Sequence, residues 1–383
     1  MIFSLGLLAT ALAAPVFVIE DGDEQMDDLI AALEDKGHTV SRSSDYGFIE
    51  SEFTGLEVDL DAFDVVFWMD GRFAASVPMP ETGQNALLSY VRAGGGVVLF
   101  GQNGFNYAAG RHPILEPLIP LRSWTLLSAG TFWPADDTHP LCDGFSAEDE
   151  LDIGGGRVDV VEPVFGESVW LATLGVLERQ AAAVYEEGEG RGVQWTMWGN
   201  AGIDFWQTQW SDEIVGELLD NSVRWAEQGP PRPNTGGPYS VVAGDTVVLD
   251  ASASVARGDA EIVSYIWEVE DTLWSTEDPI ATFDASGFDG PTDLEVTLTV
   301  VDSEGRDRSA ATVLAVENAP PVISATLCPE DGLEGDVLEF SVDASDPEPV
   351  DPLLAQWTVD GVIAASGYDV EIGFAQDGEY AVL

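Results

Sequence analysis

Basic residues are scarce in this chain. Its 383 residues include 14 Lys and Arg against 69 Asp and Glu, which gives a formal charge of −55, and Lys36 is the only lysine. A surface this anionic repels phosphate backbones and anionic lipid headgroups. We therefore expect no binding to nucleic acid or to membrane surfaces.

Long apolar runs are absent after the first residues. The run MIFSLGLLATALAA, from Met1 to Ala14, contains an apolar stretch that would span roughly 20 Å as a helix, short of the roughly 30 Å hydrocarbon core. It ends in Ala11-Leu12-Ala13, which is typical of a secretory cleavage site. The sequence predicts a signal peptide over residues 1–14, no transmembrane segment and a secreted or cell-surface protein.

Cysteine and histidine are also rare. Cys142 and Cys328 lack the spacing of a metal site, and the sequence leaves open whether they pair. The three histidines are scattered, which does not favour zinc hydrolysis, and His38 is predicted to be structural. No G-x-S-x-G motif is present to supply a serine nucleophile.

Strands and helices alternate through residues 15–228. Apolar runs predict strands at 15–19, around Val40, at 64–69 and at 97–100, and helical spacing predicts helices from Met26 to Gly37, from 81 to 92 and from 211 to 227. A hairpin is predicted at 188–192. Alternating elements joined by short turns indicate a doubly wound parallel sheet with helices on both faces.

Ligands of such sheets bind beyond the carboxyl ends of the strands. The polar residues predicted at those ends are Asp21, Asp70, Arg72, Gln102 and Asn103. We predict that these side chains contribute to a ligand-binding site.

A tryptophan-rich segment follows the predicted hairpin. Trp195, Trp198, Phe205, Trp206 and Trp210 lie within sixteen residues of one another, interspersed with amide and carboxylate side chains. Flat rings beside such groups suit the face of a sugar, whereas the alternative is ordinary core packing. Trp198, Asp204 and Trp206, together with His139, complete the predicted ligand-binding set; the alternative for His139 is a loop-fixing role.

Four motifs occur in this order along the region: Asp64–Met69, Leu88–Gly101, Thr138–Leu141 with Gly144-Phe145, and Asn221–Trp225. Together they resemble class I glutamine-amidotransferase-like domains of the ThuA-like group. The resemblance implies a flavodoxin-like fold. True amidotransferases carry a cysteine nucleophile on the turn after the strand that ends here at Gly101, and this sequence has Asn103 in that place. An amide is not a nucleophile under these conditions, so glutaminase chemistry is not expected.

The last third of the chain repeats itself. The pattern that begins at Gly244-Asp245 and continues to Trp267 recurs from Gly335-Asp336 to Trp357, about 90 residues later. Residues 229–235 read as a proline-rich linker. Residues 236–318 resemble a polycystic kidney disease (PKD) repeat, which implies an immunoglobulin-like β-sandwich with Trp267 in its core.

Residues 319–383 form the second copy of this pattern. Its closing strand is absent, so we expect the sequence to be part of a longer protein. Asp343, Asp346 and Asp351 are candidate calcium ligands, with acidic turn residues as the alternative, and no other cofactor is expected.

Two functions follow from these observations. The first is a non-catalytic, secreted or surface-displayed binding protein whose first domain recognises a ligand, carbohydrate being the candidate, with the PKD-like repeats as spacer and adhesion modules. The alternative is a ThuA-like carbohydrate-active enzyme with acid and base residues among Asp21, Asp70, Asp204 and His139.

Overall fold

A computed structural model describes most of the chain. The described residues are 13–20, 26–70, 77–101, 107–122, 131–151, 163–174, 177–196, 213–346, 353–376 and 378–383. They divide into two compact units, the first comprising Met1–Pro231, Ala256–Glu261 and Asp302–Arg306, the second Arg232–Val255, Ile262–Val301 and Asp307–Leu383. The predicted signal peptide lies almost wholly outside the described residues.

An eight-stranded mixed sheet forms the centre of the first unit. Its strands are β1 (Pro15–Ile19), β2 (Thr39–Arg42), β3 (Val65–Asp70), β4 (Gly96–Gly101), β5 (Phe132–Pro134), β6 (Glu167–Leu174), β7 (Leu177–Glu187) and β8 (Gly190–Trp195). They are arranged in the order β2-β1-β3-β4-β8-β7-β6-β5. The first five in this order are parallel, as in flavodoxin-like sheets, whereas β7, β6 and β5 pair antiparallel.

Helices cover both faces of this sheet. They are α1 (Met26–Asp35), α2 (Glu81–Arg92) and α3 (Glu213–Ala226). On one face, Leu29 of α1 and Leu218 of α3 pack in a core with Phe67. On the other face, Leu87 of α2 packs with Trp68. Because the parallel strands are buried on both sides, they read in the sequence as unbroken apolar runs.

The predicted hairpin is confirmed between β7 and β8. Glu187 pairs with Gly190 across a tight turn, in which Gly188 has a φ of 63°. A side chain at Gly190 would collide with the carbonyl oxygens of Val91 and Gly95. Glycine at position 190 therefore allows the hairpin to pack closely against the backbone at the end of α2.

The second unit holds two sets of strands that pair mostly antiparallel, with one parallel pair in the first set. The first set is β9 (Tyr239–Val242), β10 (Thr246–Asp250), β11 (Ile262–Val269), β12 (Thr272–Thr276), β13 (Ile280–Asp284), β14 (Thr292–Asp302) and β15 (Asp307–Glu317). They form a five-stranded sheet, β12-β11-β14-β15-β9, and a two-stranded sheet, β10-β13. Trp267 is fully buried between them, as predicted.

The second set has fewer strands. It consists of β16 (Val322–Leu327), β17 (Val337–Ser345), β18 (Gln356–Val359), β19 (Val362–Ser366) and β20 (Asp369–Gly373), arranged as β16-β17-β20 and β18-β19. Phe340, Trp357 and Ile372 form its buried core among the described residues. The predicted fold class, a flavodoxin-like α/β sheet followed by immunoglobulin-like sandwiches, is confirmed.

None of the helices in the described residues has both the length and the apolar character needed to cross a bilayer.

Candidate functional site

The parallel strands of the first unit end at one edge of the sheet. Asp70, the last residue of β3, pairs with Gly101, the last residue of β4, and Ile19 at the end of β1 pairs with Trp68. Strand order reverses beside β1, which is where ligands of doubly wound sheets bind. We call this edge the carboxyl edge.

Most of the predicted site residues lie outside the described residues. They are Asp21, Arg72, Gln102, Asn103, Trp198, Asp204 and Trp206. The backbone of Asp70 is described and lies at the carboxyl edge, as expected. His139 is the only member of the set whose side chain is described.

His139 does not lie beside Asp70. Its ring packs against Trp225 with 4.5 Å between centroids, and Trp225 is near the end of α3, where Ala226 adjoins Gly96 at the start of β4. His139 is therefore at the amino ends of the strands. Its Nδ1 accepts a hydrogen bond from the backbone N–H of Leu141 at 3.1 Å. This geometry is that of the loop-fixing alternative.

A fixed carboxylate lies at the carboxyl edge. Glu20, which directly follows β1, accepts hydrogen bonds from the Arg42 side chain at 2.5 and 2.9 Å and from the backbone N–H of Ser44 at 2.9 Å. Burial by itself would raise the pKa of Glu20, but these hydrogen bonds and the Arg42 charge hold that pKa below its usual value. Glu20 is thus an ionised, oriented acceptor.

A second polar cluster joins the first through the backbone. The N–H of Glu50 donates to the carbonyl oxygen of Glu20 at 2.7 Å. The Glu50 carboxylate accepts a hydrogen bond from the Trp68 indole at 2.9 Å and lies 3.7 Å from Nε2 of His112. The His112 ring meets Trp68 edge to face, with 5.1 Å between centroids.

His112 in this cluster is a neutral imidazole. Burial, with a smaller effect from the Arg111 charge, lowers the pKa of His112 to about 4. Both His112 and Glu50 are buried, at 0% and 1% exposure. They form a buried polar floor next to the carboxyl edge, and they include no thiol.

The sequence analysis singles out none of Glu20, Glu50 and His112 as a site residue. The signal for Glu20 was its place directly after an apolar run. Glu50 and His112 carry no comparable signal, because only the folding of distant segments brings them to Trp68.

The cysteine of the first unit is buried and has a raised pKa. Cys142 is fully buried, and burial, aided by nearby aspartates, raises the pKa of its thiol to about 12. Its Sγ faces the carbonyl oxygen of Val169 at 3.9 Å. Cys328 is exposed and belongs to the second unit, and neither cysteine is in a disulfide.

The remaining sequence candidates fall into two groups. His38 is buried and bonded to Asp220 at 2.9 Å, in keeping with its predicted structural role. Trp195 is fully buried, donates to Ser222 at 3.0 Å and stacks on Phe100, so this member of the tryptophan-rich segment is core packing. Phe205 and Trp210 are not among the described residues.

Within the residues that the structure describes, no group of three His, Cys, Asp or Glu side chains is placed to hold a metal ion. Asp351, one of the candidate calcium ligands, lies outside the described residues.

Comparison with known proteins found similarity only at the level of structure. No protein-family model matches the sequence, and no curated protein does. A ThuA-like protein from Parabacteroides merdae is 16% identical and covers 56% of this chain and 90% of its own, with a TM-score of 0.44. A ThuA-like protein from Bacteroides uniformis is 13% identical over the same shares, with a TM-score of 0.41.

The chain is similar to ThuA-like proteins over its N-terminal half. The PKD1 domain of the Vibrio cholerae metalloprotease PrtV is 21% identical and covers 23% of this chain and 99% of its own, with a TM-score of 0.19. The predicted resemblances to ThuA-like and PKD-like domains are confirmed as similarities of structure. At these sequence identities the similarities show the fold alone, and any argument about activity has to come from the residues of this chain.

Proposed function

We propose that this chain is a modular binding protein that acts outside the cytoplasm. In this proposal the carboxyl edge of the first unit binds a small polar ligand, with carbohydrate as the candidate class, and the sandwiches serve as spacer and adhesion modules. The apolar leader Met1–Ala14 supports the location.

One observation carries the proposal: the carboxyl edge has an oriented polar floor but no reactive thiol. Glu20 is held in place by Arg42, and Glu50 by Trp68. Such fixed acceptors can orient hydroxyl groups without reorganising when a ligand arrives. The only two cysteines of the chain are a buried thiol at Cys142 and Cys328 in the other unit. Glutaminase-type nucleophilic chemistry therefore has no sulfur to use.

A glycan array followed by calorimetry tests the binding. Trp206 carries the sugar-stacking part of the proposal, so Trp206→Ala should weaken binding of any array hit at least tenfold. Trp274→Ala is the matched control, because it removes a half-buried tryptophan of the second unit. Absence of glycan binding, or equal losses in both variants, would contradict a carbohydrate site in the first unit.

Acid–base catalysis on carbohydrates is the second candidate. The observation that favours it is the 3.7 Å separation of the Glu50 carboxylate and the His112 imidazole. A screen of glycosides and keto-sugars, with and without divalent metals, distinguishes the two. Turnover that is lost in Glu50→Gln and in His112→Asn, but retained in Trp274→Ala, would replace the binding role with an enzymatic one.

A further inference from the structure

The segment Ala256–Glu261 belongs to the first unit. It carries Arg257, which is only 1% exposed. The Arg257 guanidinium lies at the amino ends of β3 and β4, where it donates hydrogen bonds to the backbone carbonyl oxygens of Asp64, at 2.5 Å, and of Gly94. Its Nε lies 3.2 Å from the Asp64 carboxylate. We call residues 256–261 the strap.

The strap is held by polar contacts and not by an apolar core. Arg257 and Ala260 are its buried residues, whereas Asp259 is exposed. The close approach of the backbone depends on glycine, because a Cβ atom at Gly229 would lie 2.5 Å from Nη1 of Arg257 and 2.4 Å from the Gly94 carbonyl oxygen. Few apolar contacts would therefore be lost if the strap moved away.

A buried carboxyl group lies next to the strap. Glu227 directly follows α3 and is 8% exposed, and a Cβ atom at Gly258 would be 3.8 Å from its Cγ. The charged groups that act on it are Asp64, Asp259, Arg257 and Arg224. Burial, followed by the charges of the two aspartates, raises the pKa of Glu227 to about 8, and the two arginines oppose this rise.

The proton on Glu227 is therefore linked to the position of the strap. Opening of the strap exposes Glu227 to water and removes Asp259 from it, so its pKa falls toward the ordinary value of 4.5. Between these two pKa values the closed state holds a proton that the open state releases. The opening equilibrium should then rise about tenfold for each pH unit in this window and level off above about pH 8.

We infer that the strap is a pH-sensitive switch, which stays on the first unit while Glu227 keeps its proton and detaches as that proton is lost. The other way to expose Glu227 is fraying of the last turn of α3. That turn is anchored by Val223 and Ala226, which are fully buried in the core of the first unit. The strap has no comparable anchor, so it is the element that moves.

Native-state proteolysis of the whole chain by trypsin tests this inference. Trypsin cleaves after arginine, so cleavage at Arg257 reports opening of the strap, cleavage at Arg224 reports fraying of α3, and cleavage at Arg42 in β2 reports unfolding of the sheet. Rates are measured by mass spectrometry at pH 6, 7, 8 and 9. Each rate is divided by the rate on a chromogenic arginine peptide, which removes the pH dependence of trypsin itself.

The expected result is a pH dependence that is specific to one site. The normalised rate at Arg257 should rise about tenfold per pH unit from pH 6 to pH 8 and change little from pH 8 to pH 9, because cleavage tracks the open population. Cleavage at Arg42 and Arg224 should stay at least tenfold slower than at Arg257 at pH 8.

Two variants and a matched control test the role of Glu227. Glu227→Gln cannot ionise, so cleavage at Arg257 should be slow and should vary less than twofold from pH 6 to pH 9. Asp259→Asn removes one charge that raises the Glu227 pKa, so the rate should level off at a lower pH; this exposed position keeps the test valid where Glu227→Gln does not fold. Glu213→Gln, at the exposed start of α3, should keep the wild-type profile.

Three results would overturn the inference. The first is cleavage at Arg257 that does not change with pH in the wild-type chain. The second is a wild-type pH profile in Glu227→Gln. The third is a pH-dependent rate at Arg224 or Arg42 that equals the rate at Arg257, since the helix or the whole sheet would then be the element that opens.

Discussion

At the scale of single residues, burial changes the chemistry of several ionisable groups. Glu227, directly after α3, is 8% exposed, and burial, followed by the charges of Asp64 and Asp259, raises its pKa to about 8. Arg257 and Arg224 oppose that rise only in part. Glu227 therefore folds with a proton that the unfolded chain releases near its ordinary pKa of 4.5.

Because of this proton, the stability of the first unit should depend on pH. The folded state binds more protons than the unfolded state between pH 4.5 and about 8, so the contribution of Glu227 to stability falls as pH rises through that window. Glu227→Gln should remove this loss and make the variant more stable than the wild type above pH 8, by about 5 kcal/mol at most.

Urea unfolding at several pH values between 4 and 9 measures the effect. Glu213→Gln, an exposed acid at the start of α3, is the control and should follow the wild-type curve. A Glu227→Gln curve parallel to the wild type across this range would contradict the raised pKa.

The two cysteines should differ sharply in reactivity. Because the Cys142 thiol is buried and its pKa is about 12, it should resist alkylation at pH 8 in the folded chain, whereas exposed Cys328 should react. A thiol assay should count one reactive group in the native chain and two in denaturant. Cys328→Ser should leave none in the native chain, and rapid native labelling of that variant would show an accessible Cys142.

At the scale of elements, packing can reverse a local preference. Gly83 in α2 and Gly216 in α3 are both helical, and in an isolated helix alanine would be favoured over each by about 1 kcal/mol. A methyl group at Gly83 would lie well inside 3.0 Å of the Phe53 carbonyl oxygen, whereas one at Gly216 would meet only the flexible end of Lys36 at 3.3 Å.

The two substitutions should therefore change the unfolding free energy in opposite directions. Gly83→Ala should lower the unfolding free energy by about 2 kcal/mol, because it strains the backbone contact between α2 and Phe53, which lies in the segment before β3. Gly216→Ala should be neutral or raise it by up to about 1 kcal/mol. Thermal and urea unfolding of the two variants against wild type gives the comparison, and stabilisation by both would mean that α2 moves away from Phe53 without cost.

Helices and strands were predictable where proline or glycine marks their ends in the sequence. α2 was predicted over residues 81–92 and occupies Glu81–Arg92, because Pro80 precedes it and glycines 94–96 end it. The antiparallel half of the sheet was predicted only at the β7–β8 hairpin. β5 and β6 pair through contacts between distant segments, to which local periodicity is blind.

At the scale of the whole molecule, the charge dominates. With a net charge of −55 and only 14 basic residues, the folded chain carries self-repulsion that its cations cannot neutralise. The screening length shortens from about 10 Å at 0.1 M to about 3 Å at 1 M salt. Calorimetry should therefore show the melting temperature rising by several degrees between 0.1 M and 1 M NaCl.

A calcium titration at matched ionic strength completes this test. If the candidate ligands Asp343, Asp346 and Asp351 bind calcium, millimolar CaCl₂ should raise the melting temperature of the second unit more than NaCl of equal ionic strength does. Equal shifts would assign the whole effect to screening. A melting temperature that does not rise with NaCl would contradict the self-repulsion argument.

The sequence by itself determined the class of each part of this protein. Apolar runs, helical spacing and glycine or proline breaks are local properties, and they set the parallel strands of the first unit and the β-strands of the second. The tertiary structure decided which polar groups meet, namely Arg42 with Glu20 and His112 with Glu50. It also buries Cys142, which raises the pKa of that thiol. The reason is physical, since a pKa or a binding surface depends on neighbours that the folded chain brings together from distant positions.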